Sequence, residues 1–430
     1  MSADFPSLRR LDSLAPRGMK LGLEAIDALC ERLGRPERRV PSVLVAGTNG
    51  KGSTAATLAA IAHAAGMRVG LYTSPHLIDV TERIRIEEAD VAAAELDASL
   101  EAVSSAAEAS PPIPLTYFEA LTAAAFVTFA RRRVALAVLE VGLGGRLDAT
   151  NVSPASLSVV TSISLDHVED LGPTVEAIAR EKAGIFRCGR PALVESPLER
   201  VRRVFREAAA QTGAMLHEMP EEARIEGVEA SLRHTRFRLR TPVRSYELST
   251  PLLGPHQVFN VSTAVRAAEL LAPEFSASAD AIARGVAAVR WPGRLERFAV
   301  RGRQVLLDGC HNAGGAASLA AFLAATGTEA DFIFGAMADK DVGAMAQALA
   351  TVSGEVVLVP VEGVPRAAAA EELKRRVSAA WPDARPAAGL EEALRARLSA
   401  PGDKPIIVAG SLYLVGQARA LLLSARLERT

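Results

Sequence analysis

Short apolar runs bounded by turn residues alternate along this chain with longer stretches whose apolar positions recur at helical spacing. Val40–Ala46 reads as a buried strand, Lys51–Ala65 as a helix and Val69–Tyr72 as a second strand. Phe118–Arg131 follows as helix, Val134–Val141 and Leu157–Ser162 as strands, Thr174–Ile185 as helix and Pro191–Val194 as a short strand. This β-α repetition predicts a mainly parallel sheet with helices on both faces. The period changes between Arg224 and Ser249, where polar and apolar residues alternate one for one, most clearly in "RHTRFRLR" from Arg233 to Arg240. That spacing predicts exposed antiparallel hairpins. Helical spacing returns at Val258–Leu271 and Ala277–Val289, and Arg290-Trp-Pro-Gly-Arg294 then interrupts regular structure. Beyond it the alternation restarts, with strands at Gln304–Leu307, Asp331–Phe334, Glu355–Val359 and Ile406–Ala409, and helices at Ala316–Ala325 and Val342–Leu349. The expected division is a larger α/β domain over residues 1–291, a hinge at 292–296 and a smaller, Rossmann-like α/β domain over 297–430.

The composition fits that picture without sharpening it. With 430 residues, 49% of them hydrophobic and 23% charged, the chain has ordinary globular make-up and room for two or three domains. A net charge of −1 gives no general reason to expect a nucleic acid or an anionic membrane as partner. The arginines of Arg233–Arg240 could form a basic nucleic-acid strand, but no aromatic beyond Phe237 interleaves them to stack on bases, so a solvated sheet face is preferred. The longest apolar stretch, Ala120–Ala130, is well short of the ~20 residues that span a bilayer and ends in Arg131–Arg133, so it reads as a core helix. The opening residues hold no apolar secretion segment. Cys30, Cys188 and Cys310 are far apart, with neither metal-type pairing nor a disulfide framework. A cytoplasmic protein is expected, with no membrane and no nucleic-acid partner.

Chemistry enters at Gly47-Thr48-Asn49-Gly50-Lys51-Gly52-Ser53, which follows the strand Val43–Ala46 directly and opens an Ala-rich helix. A polyphosphate must meet several backbone N–H groups at once, and glycines let the backbone turn tightly against it. The following helix aims its positive end at the same anion. Lys51 can reach the outer phosphates, and Ser53 or Thr54 can bring a hydroxyl near them or near magnesium. The pattern is a G-x-x-G-K-x-[ST] variant, and it makes the larger domain a P-loop mononucleotide-binding domain. The Asp-x-x-Gly and Asn-Lys-x-Asp elements of a GTPase switch occur nowhere in the sequence.

Glu140 ends a buried-strand pattern and so faces the crevice where parallel sheets bind ligands. Its hard oxygens suit magnesium well, with an exposed strand-end carboxylate as the lesser alternative. Asp166-His167 follows the next strand, and Asp166 would either orient the histidine or cap the next turn. Lys182 closes a helix, where a solvated cation favoured by the dipole is the simplest assignment.

Taken together, these residues resemble the Mur ligase superfamily, and within it the folylpolyglutamate synthase and dihydrofolate synthase family of bacteria. The resemblance runs along nearly the whole chain. It is carried by "GTNGKGS" (Gly47–Ser53), "TSPHL" (Thr73–Leu77), "ERI" (Glu82–Ile84), "EVGLGGRLDATN" (Glu140–Asn151) and "TSISLDHVEDLG" (Thr161–Gly172). It continues through "IAREKAGIF" (Ile178–Phe186), "LGPHQVFN" (Leu253–Asn260), "WPGRLE" (Trp291–Glu296), "DGCHN" (Asp308–Asn312) and "GAMADKD" (Gly335–Asp341). Cys310 departs from the family pattern, in which alanine is more usual.

The resemblance implies ATP and magnesium as cofactors, with Ser74, Glu140 and His167 as metal positions. Lys182 would be carboxylated by carbon dioxide into a further, anionic oxygen ligand. Asn260, Arg294 and Asp308 match nucleotide-contacting positions beside the loop Gly47–Ser53, and His311 lies in a motif associated with activity. Lys51, Lys182, Arg294 and His311 are thus the implied catalytic set. Thr116, Tyr117, Phe118 and Glu119, with Leu147, Asp148 and Ala149, match segments that hold a pterin, although Tyr117 or Phe118 could equally be plain core. The implied reaction activates a carboxylate as an acyl phosphate and joins it to glutamate. The substrates would be dihydropteroate or reduced folates and L-glutamate, and the expected state is a monomer. Another Mur-type ligase acting on a peptidoglycan precursor is the alternative, disfavoured because no uridine-nucleotide domain precedes residue 40. A P-loop ATPase or regulatory module is a further one.

Overall fold

The computed structural model describes residues 5–14, 22–272 and 275–424, so the reading of the opening residues lies partly outside the described part. The larger domain is built on β1 (Ser42–Ala46), β2 (Val69–Tyr72), β3 (Ile84–Ile86), β4 (Ala89–Asp90), β5 (Leu136–Glu140), β6 (Leu157–Val160), β7 (Pro191–Val194) and β8 (Met215–Glu218). These form one sheet in the order β4-β3-β2-β5-β1-β6-β7-β8. The strands from β2 to β8 in that order run parallel, and β3 and β4 add an antiparallel edge.

The central strands are apolar at every position because both faces are covered. Leu44, Ala46, Leu139, Val160 and Val194 face one helical layer, while Val43, Val45, Val138, Val159 and Leu193 face the other. The first layer contains the Tyr117–Arg132 helix, whose start is fixed by a reciprocal pair: Glu119 N–H donates to Thr116 Oγ1 and Thr116 N–H to the Glu119 carboxylate. The second contains the Lys51–Ala64 helix, packed against the Pro255–Leu270 and Ala279–Ala288 helices.

β9 (Arg224–Ala230), β10 (Thr235–Arg240) and β11 (Ser245–Thr250) form the expected antiparallel sheet in the order β11-β10-β9. Phe237 and Leu239 point into the core, and burying each contributes about 1.5–3 kcal/mol. The intervening arginines meet acidic partners: Arg238 donates to Glu247 at 2.6 Å and Arg240 lies 3.5 Å from Glu226. The basic strand is therefore matched by its neighbours' carboxylates.

The smaller domain contains β12 (Arg294–Val300), β13 (Arg303–Asp308), β14 (Ala330–Phe334), β15 (Ser353–Leu358), β16 (Arg385–Pro386) and β17 (Ile406–Ala409), in the order β12-β13-β17-β14-β15-β16. All neighbours are parallel except β12 against β13. Three residues of the expected hinge, Arg294–Glu296, open strand β12 instead of linking domains. They are tied down, because Glu296 accepts from Gly293 N–H at 3.0 Å and pairs with Arg419 at 3.0 Å. Among the described residues no helix is long and apolar enough to cross a membrane.

Candidate active site

The carboxyl ends of β1, β2, β5, β6 and β7 open onto a cavity of ≈ 720 Å³, closed on the other side by the start of β12 and the end of β13 from the smaller domain. That volume suits a nucleotide-sized ligand. At its centre the β1 strand becomes the loop Gly47–Ser53. Gly47 has φ +149°, and a Cβ there would strike the Thr161 side chain; Gly50, at φ +88°, would strike Asn260. Only glycine lets the loop sit this close to β6 and to the Pro255–Leu270 helix. The loop is pinned from β6 and the chain after it: Thr48 N–H donates to Ser162 O at 2.8 Å, and the Thr161 hydroxyl donates to Asn49 O at 2.8 Å. The helix side is fixed by Gln257, whose amide donates to Ser53 Oγ at 3.2 Å and accepts from Asn260 at 2.9 Å.

Lys182 overturns the simplest sequence reading. It is 4% exposed, and its Nζ donates to Gly47 O at 2.7 Å. The helix packs its last turn against Gly145, where a Cβ would lie 2.9 Å from Lys182 O, and this carries the lysine inward. Lys51 Nζ donates to the same carbonyl at 3.1 Å. Burial first, and Lys51 second, hold the Lys182 amine down at about 7.

Glu140 is 5% exposed at the end of β5, and one of its oxygens accepts from Ser74 N–H at 3.1 Å. Burial raises its carboxyl above the ordinary range, with Lys51 opposing. His167 stands at φ +50°, a left-handed conformation costing on the order of 1–3 kcal/mol outside glycine. Burial lowers its pKa, partly countered by Asp166. Asp166 meets His167 through the backbone, accepting its N–H at 3.0 Å. Their side chains are 4.0 Å apart, whereas the Asp166 carboxylate takes Lys340 at 3.5 Å and Asn312 at 3.3 Å across the cleft. Burial pushes Asp166 up, but His167, Lys340 and His311 outweigh it and hold the carboxyl below its usual value.

From the smaller domain, Leu295 at φ +51° forms a bulge that breaks the β12–β13 register and aims Arg294 into the cleft. Asp308 satisfies that bulge, accepting Leu295 N–H at 3.1 Å on one oxygen and Cys310 N–H at 3.0 Å on the other. His311 Nδ1 bonds to Gly309 O at 2.9 Å, and burial lowers its pKa. Asn312 reaches Asn49 of the phosphate loop at 3.3 Å.

The structure therefore brings Gly47–Ser53, Ser74, Glu140, His167, Lys182, Asn260, Arg294, Asp308 and His311 to one cavity. It does not bring the expected pterin positions to that lining. Thr116 and Glu119 form a helix cap, and Asp148 caps its own turn through Thr150 while accepting Leu143 N–H at 2.9 Å. Phe118 packs on Gly142, and Tyr117 lies under the Arg83 guanidinium at 5.3 Å. Of these residues Phe118 and Asp148 contact the lining loop Gly142–Leu143 without themselves lining the cavity. Gln257, Asn312 and Lys340 were not singled out in the sequence reading, although Gln257 and Asn312 lie inside quoted motifs and Lys340 inside "GAMADKD".

A P-loop domain clasped against a second α/β domain that supplies an arginine to the phosphate end defines a nucleotide-dependent enzyme class. The pattern described as the Mur ligase middle domain matches residues 45–268, and that of the dihydrofolate synthetase C-terminal domain matches residues 294–422. A folylpolyglutamate synthase of Lacticaseibacillus casei is 35% identical over 96% of this chain and 97% of its own. A dihydrofolate synthase/folylpolyglutamate synthase of Bacillus subtilis is 33% identical over 94% and 96%. The solved structure of Escherichia coli FolC in complex with DHPP and ADP matches with a TM-score of 0.88 at 33% identity, covering 97% of each chain. The chain belongs to the Mur ligase family, in the branch of the folylpolyglutamate and dihydrofolate synthases.

Proposed function

We propose that the protein is an ATP-dependent ligase that adds L-glutamate to dihydropteroate, to the γ-carboxylate of folylpolyglutamates, or to both, releasing ADP and phosphate. The observation that carries this reading is the convergence of Glu140, Lys182 and Arg294 on one phosphate loop from three separate elements. A motor or regulatory P-loop module needs no such set.

A carboxylate is a poor electrophile, so the acceptor must first take the γ-phosphoryl group. The acyl phosphate then loses phosphate when the glutamate amine attacks. The protein's part is alignment and charge neutralisation. Lys51 and the N-terminus of its helix hold the phosphates, Arg294 approaches from β12, and closure about Pro292–Gly293 excludes water. His311 lies beside Arg294 at the same end of the cleft.

A divalent ion fits this site. Among the described residues no group of three or more His, Cys, Asp or Glu converges as a ready-made metal cage. Glu140, Ser74 and His167 would therefore hold the ion together with phosphate oxygens and water, the mixed set that magnesium favours. When bound, it would neutralise the charge on the transferring phosphoryl group. Lys182 completes the set if its amine adds to carbon dioxide and sheds a proton. An amine held near 7 supplies the neutral nucleophile that this step requires. The reading predicts a mass increase of about one carbon dioxide on Lys182 in the folded protein. The pterin lies toward Phe118 and Asp148, behind Gly142–Leu143.

Cytoplasmic location and a monomeric state belong to the same proposal. The three cysteines are free thiols, as a reducing compartment favours, and one chain supplies the whole cleft. The test is phosphate release from ATP with each pterin, with and without L-glutamate. Glutamate-dependent release in the wild type, abolished in a folded Lys51→Ala variant, is expected. Wild-type turnover in that variant would sink the assignment.

A further inference from the structure

After β14 the chain turns into the cavity before it enters the Val342–Leu349 helix, and Met337, Asp339 and Lys340 of this turn line the wall. Lys340 reaches across the cleft to Asp166 of the larger domain at 3.5 Å, with Asp339 at 3.8 Å on its own side. The same Asp166 carboxylate accepts the Asn312 amide, which also reaches Asn49 of the phosphate loop. A lysine is a point charge on a flexible stem, so its reach is only as well defined as the backbone that carries it.

That backbone is gripped from both sides. On one side Met337 and Ala367 form an antiparallel bridge. Ala338 N–H donates to Arg366 O at 2.9 Å, and Ala368 N–H donates to Ala336 O at 3.0 Å. On the other side stands Arg376, in the last turn of the Ala370–Val377 helix. One of its guanidinium nitrogens donates to Ala338 O at 2.9 Å and another to Lys340 O at 2.5 Å. Ala338 is thus held by both its N–H and its carbonyl, while Lys340 O also accepts the Val342 N–H at 2.9 Å. Leu373 and Val377 bury the inner face of the helix, and Arg376 lies at its border, partly exposed and outside the cavity lining. The helix dipole alone accounts for basic residues in a last turn, and Lys374 and Arg375 call for nothing more. Arg376 differs because both its terminal nitrogens engage carbonyls of another segment. The planar fork of a guanidinium can span two acceptors in this way, and a lysine ammonium cannot match that geometry.

We infer that Arg376 is a positioning residue: by fixing the carbonyls on either side of Asp339 it sets Lys340 where it meets Asp166, and so sets the contact that holds the smaller domain over the phosphate loop. This rests on the ligase reading for its nucleotide and adds a residue that touches no ligand. The influence runs from Arg376 through the 338–340 backbone to Lys340 and across to Asp166.

Arg376→Ala and Lys340→Met, made singly and together, form a double-mutant cycle read in KM for ATP and in calorimetric affinity for ADP. Arg376→Ala should weaken both by roughly three- to fivefold, close to the effect of Lys340→Met itself, with kcat changed by less than about twofold. In the Lys340→Met background the same change should add less than about 1.5-fold, because the charge it positions is gone. Arg376→Lys should recover part of the loss, since an ammonium reaches one carbonyl at a time. It also carries the cycle if Arg376→Ala does not fold. Glu372, one turn earlier, lies 3.4 Å from Arg376 and does not line the cavity, so Glu372→Gln should leave ADP affinity unchanged. Effects of Arg376 and Lys340 that multiply independently overturn the inference. So does unchanged ADP affinity in folded Arg376→Ala protein, or a loss in Glu372→Gln as large as that in Arg376→Ala, which would trace the effect to helix stability. If the wild type shows no glutamate-dependent phosphate release, the ligase reading fails, while the cycle in ADP affinity still decides the role of Arg376.

Discussion

Glu140 and Asp308 are carboxylates in the same position on two different sheets, each at the carboxyl end of a strand facing the shared cleft. Their surroundings divide their work. Glu140 receives one backbone N–H and is otherwise desolvated, so its second oxygen and its charge remain available to a cation. Asp308 receives a backbone N–H on each oxygen, and both belong to the turn that presents Arg294 and Cys310. The larger domain leaves its strand-end carboxylate open to a ligand, while the smaller one uses its own to hold the turn that presents an arginine. Position on a sheet thus gives access to the cleft, and the hydrogen-bond inventory decides whether the group is free to use it.

Exchanging each group for its amide separates the two roles. Glu140→Gln should lower kcat by about a hundredfold or more, the scale of losing one preorganised charge contact in a transition state. Its melting temperature should not fall, because a buried charge with one donor has been removed. Asp308→Asn should destabilise by about 1–3 kcal/mol, since an amide NH2 then faces a backbone N–H. Its activity should fall less than that of Glu140→Gln. Denaturant melts and steady-state phosphate release on both variants decide this, and the reverse ranking would show that Asp308 is the metal-side carboxylate.

Lys182 gives an effect of intermediate size with a defined sign. Its folded value of about 7 lies below the ordinary 10.5. Between those values the unfolded chain holds a proton that the folded chain does not, so stability rises with pH through that window. The penalty is full below about pH 7. In buffer free of carbon dioxide, Lys182→Met should therefore gain most in melting temperature near pH 6 and lose that advantage toward pH 10. A difference independent of pH would contradict the buried-amine account. The smallest effect is expected for Lys340→Met. Its long, partly solvated pair with Asp166, 3.5 Å apart, is worth about 1 kcal/mol, so KM for ATP should rise by about fivefold.

The phosphate loop was legible because its chemistry is contiguous: strand, glycines, lysine and helix follow one another from Val43 to Ala64. The antiparallel sheet was legible because Phe237 and Leu239 alternate with arginines over a clean period of two. The burial of Lys182 is not legible in its local pattern, because a cation in a last helical turn is satisfied equally by water. Only the packing of Gly145 and Gly47 decides otherwise. β12 was lost because Trp291-Pro-Gly293 reads as a break and the Leu295 bulge disturbs the alternation after it. Asp166 with Lys340, and Glu195 with Thr263, are pairs between distant elements, and no spacing along the chain announces them.

The proposed reaction places a phosphorylated carboxylate between ATP and amide. It is tested most directly with acceptor substrate labelled with ¹⁸O in its reacting carboxylate, followed by mass analysis of the released phosphate. Attack of the carboxylate oxygen on the γ-phosphorus, and later departure of that oxygen with phosphate, predicts one ¹⁸O atom in each phosphate formed with glutamate present. Phosphate free of ¹⁸O, with the label retained in the acceptor or its amide, would contradict it.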